Sequence, residues 1–225
     1  MPRLTDVFDR LTEALGAEGD EPPVPVGDPF ERLIAVFLES AVDAARARSI
    51  RDNLRDAGLL EPDALASADP AELADVTRQG RKTLPPRSQA TLQRLARWYH
   101  DRGIADGSEP ISTETLREEL TALNGIGPGT GDELLSRGLG RPAFAVSRAA
   151  YRVLVRHGWI DASCTYTDAR DLIESLAGEN AALLTRLSQG FEQIGARYCR
   201  VSVAKCDRCP LRPLLPEGGP IQPDG

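Results

Sequence analysis

Lysine is almost missing from this sequence: of 27 basic residues only Lys82 and Lys205 are lysines. The bias points to a GC-rich coding sequence more than to a function, and it leaves two side chains for any chemistry that needs an amine nucleophile. No apolar run approaches the roughly 20 residues that a membrane-spanning helix requires, and no signal-peptide pattern opens the chain. A cytoplasmic protein with no membrane partner is therefore expected. Convincing strand alternation is also lacking, so the expected class is all-α. A net charge of -7 argues against a protein that coats nucleic acid nonspecifically. With 41% hydrophobic and 27% charged residues in 225, the composition is that of a globular protein of one or two domains.

What is present is helical punctuation. "LTDVFDRLTEALG" sets Leu4, Val7, Phe8, Leu11 and Leu15 at helical spacing. Asp28-Pro29-Phe30-Glu31 is a helix start, with an acidic cap, proline at the first position and glutamate at the third. The run that follows, "RLIAVFLESAV", is apolar nearly all round and predicts a buried central helix. Asp69-Pro70-Ala71-Glu72 repeats the start signal, a helix is expected from Pro86 to Tyr99 with a stop at Gly103, and Ser112 caps another. "GAEGDEPPVPVGDP" reads as a linker and "PEGGPIQPDG" as a disordered tail.

Charge is unevenly spread. Leu134 to Ile160 contains no acid but holds Arg137, Arg141, Arg148, Arg152 and Arg156. A second basic stretch holds Arg197, Arg200, Lys205, Arg208 and Arg212 against Asp207. Solvated helix faces would explain both stretches; so would local binding to a phosphate backbone, which depends on nearby charge and not on the chain total.

Two short motifs carry chemistry. In "LNGIGPGTGDELL", Gly125, Gly127 and Gly129 precede a helix beginning near Thr130. Glycine lets successive N–H groups point at one spot, and the helix start adds its own, so a phosphate could be held there by backbone alone. Cys199, Cys206 and Cys209 form a C-x6-C-x2-C pattern, close thiols that usually hold a metal or an iron–sulfur cluster. The remaining cysteine, Cys164, is far off in sequence.

In their order along the chain, "PFERLIAVFLESAV", "LNGIGPGTGDELLSRGLGRPAFAVSRAAYRVLVRHG" and "YCRVSVAKCDRCP" resemble the early buried helix, the hairpin with its following helix, and the cluster loop of the endonuclease III branch of the helix–hairpin–helix DNA glycosylase superfamily. The resemblance spans about Asp28 to Cys209. It implies two helical domains with a DNA cleft between them: a six-helix domain over 26–138, and a discontinuous cluster domain from 1–25 and 139–225 with a flexible tail from about 216. It further implies double-stranded DNA, damaged or abasic, as partner, base flipping, glycosidic cleavage, a [4Fe-4S] cluster, and DNA contacts at Gly125, Gly127, Gly129, Thr130, Arg148, Arg152 and Lys205. A monomer is expected.

The family's chemistry does not carry over. Its hairpin lysine falls on Gly129 and its aspartate on Ser147, which suits a helix N-cap better than catalysis. Its duplex-probing glutamine falls on Ala41 or Val42. Asp132 and Glu39 are the substitute acids to consider; Glu39, inside an apolar helix, should either face the cleft or pair with an arginine. The fourth cluster cysteine falls on Leu215, leaving Cys164, a non-cysteine ligand, an open iron site or loss of the cluster. His100 and His157 read as ordinary surface or core histidines. The sequence thus implies a base-excision-repair protein with weak or altered glycosylase or lyase activity; the alternative is an inactive paralogue that reads damaged or abasic DNA.

Overall fold

The structure is a computed structural model that describes residues 4–15, 27–104 and 111–222. Of the linker read from the sequence, residues 16–26 lie outside the described residues, as do residues 223–225 of the tail. Helices dominate. Among the described residues the only β pairing is two isolated bridges, Gln79 with Lys82 and Cys199 with Ala204. The chain divides into two compact units; one ends at Arg141, and the other resumes at Pro142 and includes the N-terminal helix.

The first unit is organised around α2 (Pro29–Ala41), with α1 (Leu4–Leu15) belonging to the other unit. Asp28 caps α2 by accepting from the Glu31 amide at 2.8 Å, and Phe30 and every residue from Leu33 to Leu38 is buried. Against it pack α3 (Ala44–Asp56, capped by Asp43), α6 (Pro86–Arg102) and α8 (Pro128–Glu133); α4 (Pro62–Ser67) and α5 (Pro70–Val76, capped by Asp69) rest on α6, and α7 (Thr113–Ala122, capped by Ser112) rests on α8. Among the described residues this unit has seven α-helices, of which short α4 starts on Pro62 with no side-chain cap.

Helix α8 runs on into a π-helical turn, Leu134–Gly138, which lies against α2. A Cβ on Gly138 would stand 3.0 Å from Leu33 Cδ1 and 3.2 Å from its Cα, so glycine eases the close approach of the two backbones. The Arg141 amide still bonds the Leu135 carbonyl at 2.8 Å.

Helix α7 is tied to α8 by a charge pair: Arg117 Nε donates to Asp132 Oδ1 at 2.7 Å. Asp132 is wholly buried and Arg117 nearly so, and Arg117 also meets Glu114. A buried carboxylate survives only with such a partner.

The second unit packs α1, α9 (Arg148–Arg156), α10 (Tyr166–Ala177) and α11 (Ala181–Arg197) around Val7, Leu11, Phe144, Leu154, Leu187, Phe191 and Ile194. Ser147 caps α9, and Thr165 with Asp168 forms a full capping box on α10. Phe144 and Phe191 meet edge to face, their ring centres 6.2 Å apart. Residues 216–222, read as the start of a disordered tail, instead return to α9, where the Ile221 amide bonds the Arg156 carbonyl at 2.9 Å.

Two stability outcomes follow from this packing. Replacing Arg117 with Met should strand the Asp132 charge and cost about 3–5 kcal/mol, read from urea denaturation; a loss below 1 kcal/mol would mean that Asp132 is not held as a buried anion. A Cβ on Gly195 of α11 would sit 2.3 Å from Ala149 Cβ on α9. Gly195→Ala should therefore lower stability by about 1–3 kcal/mol, with Ala149→Gly partly restoring it in a double-mutant cycle.

Candidate nucleic-acid interface and cysteine loop

The hairpin between α7 and α8 is held from below by α6. Thr91 Oγ1 and Arg94 NH1 each donate to the Asn124 carbonyl at 3.0 Å. Gly125 has φ of 100°, and a Cβ there would overlap Thr91 Oγ1, so both backbone conformation and space demand glycine. Ile126 is buried as the apolar pin of the turn. Past it, Gly127 is exposed, with nothing within 4 Å of where a Cβ would stand. No side chain caps the start of α8, and Pro128 brings no N–H, so the first helical amides are those of half-buried Gly129 and Thr130. Anions favour this kind of helix start.

The acids considered as catalytic substitutes are both engaged. Asp132 is the buried partner of Arg117. Glu39 accepts from Arg137 NH2 at 2.6 Å, so of the two roles open to it, it takes the pairing with an arginine. Arg137 also reaches Glu133 at 3.3 Å. Burial opposes its charge, but the two carboxylates outweigh that effect and raise its pKa. Ser147 Oγ accepts from the Ala150 amide at 3.0 Å, and Gly129 has no side chain.

The arginines of α9 divide in use. Arg148 is exposed. Arg152 Nε donates to the Cys199 carbonyl at 2.6 Å. Arg156 is buried and grips the cysteine loop: NH1 donates to the Arg200 carbonyl at 2.7 Å and approaches Cys199 Sγ at 3.4 Å, while NH2 donates to the Val201 carbonyl at 3.1 Å. Sequence shows the arginines but not the carbonyls that fix them, because every residue has one. Lys205 stands exposed on the same loop, near exposed Val201 and Val203.

Cys199, Cys206 and Cys209 line one pocket, together with Arg156, His157, Tyr198 and Leu215. Burial raises the Cys209 thiol pKa; amides of Leu211 and Arg212 act against it, and the neighbouring Cys199 and Cys206 raise it further. Three sulfurs near enough to influence one another, with amides aimed at one of them, are donor chemistry suited to an iron–sulfur cluster. Among the described residues no three His, Cys, Asp or Glu side chains converge closely enough for a single metal ion. Leu215 brings no donor atom to this pocket. Cys164 is not among its lining residues; it precedes α10, where its carbonyl accepts from Tyr151 Oη at 2.9 Å.

His157, at the end of α9, is the residue whose surroundings the sequence did not reveal. It is 7% exposed. Its ring lies 4.7 Å from that of Trp159. Burial lowers its pKa, more than the Val153 and Leu211 carbonyls raise it.

Comparison with known proteins agrees with this architecture. A family model described as a SAM-like helix-hairpin-helix tandem matches residues 30–84. A protein of Methanocaldococcus jannaschii named as a DNA repair glycosylase is 22% identical over 189 residues, covering 84% of this chain and 86% of the relative. Endonuclease III of Thermotoga maritima is 25% identical over 189 residues, covering 82% and 81%. Among solved structures, an endonuclease III in non-covalent complex with DNA superposes with a TM-score of 0.71 at 21% identity over 97% of each chain, which speaks for the fold. With that fold and relatives matched along most of their length, the chain is similar to endonuclease III and to a protein named as a DNA repair glycosylase.

Proposed function

We propose that this protein acts in base-excision repair by binding duplex DNA, with a glycosylase or lyase activity that is weak or altered. The hairpin carries the reading: a turn clamped by Thr91 and Arg94, ending in an uncapped helix start that opens on free space at Gly127. Its amides, with those of Gly125 and Gly129, would take a backbone phosphate, and the relatives named above include one named as a DNA repair glycosylase and an endonuclease III in complex with DNA. Exposed Arg148 and Lys205 are proposed as further phosphate contacts. Arg152 contributes by positioning the cysteine loop.

Weak or altered chemistry follows from what stands where a nucleophile and a carboxylate are needed. Gly129 has no side chain, and the Ser147 hydroxyl is occupied as a cap. The engagement of Asp132 and Glu39 with arginines favours a second reading, a protein that recognises abasic or distorted duplex without cutting it.

The cysteine loop is proposed to hold a [4Fe-4S] cluster through Cys199, Cys206 and Cys209. Bound there, the cluster would supply covalent cross-linking of the loop. The chain's own part is to seat that loop with Arg152 and Arg156 and to present Lys205 outward.

Binding and strand cleavage on duplexes with an abasic site, an oxidised pyrimidine or no damage test both readings. Damage-dependent binding with slow cleavage is the expected result. Tight binding with none would establish the reader, and no binding to any duplex would remove both. Gly127→Val should weaken binding roughly tenfold without unfolding the protein, by crowding the phosphate at the helix start. Arg148→Ala and Lys205→Ala should each flatten the slope of log affinity against log salt by about 0.9; an unchanged slope would remove that residue from the interface.

A further inference from the structure

We infer that His157 is the fourth ligand of the iron–sulfur cluster, binding iron through Nε2. The inference rests on the cluster reading above and assigns the position that three cysteines leave open.

His157 Nδ1 lies 2.8 Å from the Val153 carbonyl. A carbonyl can only accept, so the proton is on Nδ1 and Nε2 carries a lone pair. That nitrogen is buried without a hydrogen-bond partner, in a side chain 7% exposed. A buried acceptor left unsatisfied is costly. The ring lines the same pocket as Cys199, Cys206, Cys209 and Leu215. A metal-bound histidine characteristically donates its other ring N–H to a carbonyl or carboxylate, fixing tautomer and orientation; Val153 serves that purpose here. The tilted ring of Trp159, its centre 4.7 Å away, restrains the imidazole further. Iron–sulfur clusters accept histidine in place of cysteine in other proteins. Ligation would form one Fe–N bond from the Nε2 lone pair, with no change in oxidation state and no proton released.

The chain has two histidines, and the other, His100, is a surface residue beside Asp63. A His100→Gln chain grown on nitrogen-15 histidine therefore carries the label at His157 alone. Purified anaerobically at full length, it would be assayed for iron and acid-labile sulfide, then studied by pulsed electron paramagnetic resonance in a paramagnetic state of the cluster. A full iron complement with the strong nitrogen coupling of a directly bonded imidazole is expected. A full cluster without that coupling would overturn the His157 assignment and leave the cluster reading intact; a chain without iron and sulfide would overturn both. His157→Gln should lose the fourth iron, and adding Leu215→Cys should restore it. Cys164→Ser should keep both the full cluster and the coupling; loss of the fourth iron in that variant would transfer the position to Cys164 and overturn the assignment. If His157→Gln fails to fold, the labelled chain still decides.

Discussion

The buried guanidinium of Arg156 is the constraint around which the second unit is arranged. A cation taken out of water must meet acceptors. Here they are two successive loop carbonyls, those of Arg200 and Val201, and the Cys199 sulfur. Satisfying one charge thereby fixes the path of the loop that brings Cys206 and Cys209 back toward Cys199. Arg152, one turn earlier on α9, adds the Cys199 carbonyl to the same grip. The first unit repeats the logic with opposite sign: Asp132, buried in α8, is held by Arg117 of α7. In each unit a charge that is costly to bury sets the geometry of the neighbouring motif.

Close backbone approach is the second organising device. Gly138 lets the π turn rest on α2, and Gly195 lets α11 rest on α9. Gly125 has a different task, because it combines a positive φ with a packed contact to Thr91. These three glycines are required by space or conformation, whereas Gly127 is in the open. The difference separates glycines that build the scaffold from one that leaves room beside it.

Much of this was legible in the sequence. The caps at Asp28, Asp69, Ser112 and Ser147 stand where the motif rules put them, because capping depends on residues three apart and tertiary structure seldom overrides it. The helical class was legible for the same reason. Short α4 was not, since six residues without a side-chain cap leave little pattern. The arginine-rich face of α9 looked uniform in sequence, but the structure divides it into exposed Arg148 and loop-bound Arg152 and Arg156. The partners in that division are main-chain carbonyls, which no composition or spacing reports. Glu39 was recognisable as an acid needing a partner, although its choice of Arg137, 98 positions away, came only with the fold. His157 was invisible as a special residue because much of its environment comes from a segment about forty to sixty positions downstream.

The hairpin has a consequence of another kind. The groups it would offer an anion are peptide amides, oriented by a clamped turn and a helix start, with no ionisable side chain among Gly125, Gly127, Gly129 and Thr130. Amides do not titrate in the range where proteins remain folded. A phosphate gripped this way would be held with the same strength in mildly acidic and mildly alkaline solution, so proton concentration would leave such an anchor untouched.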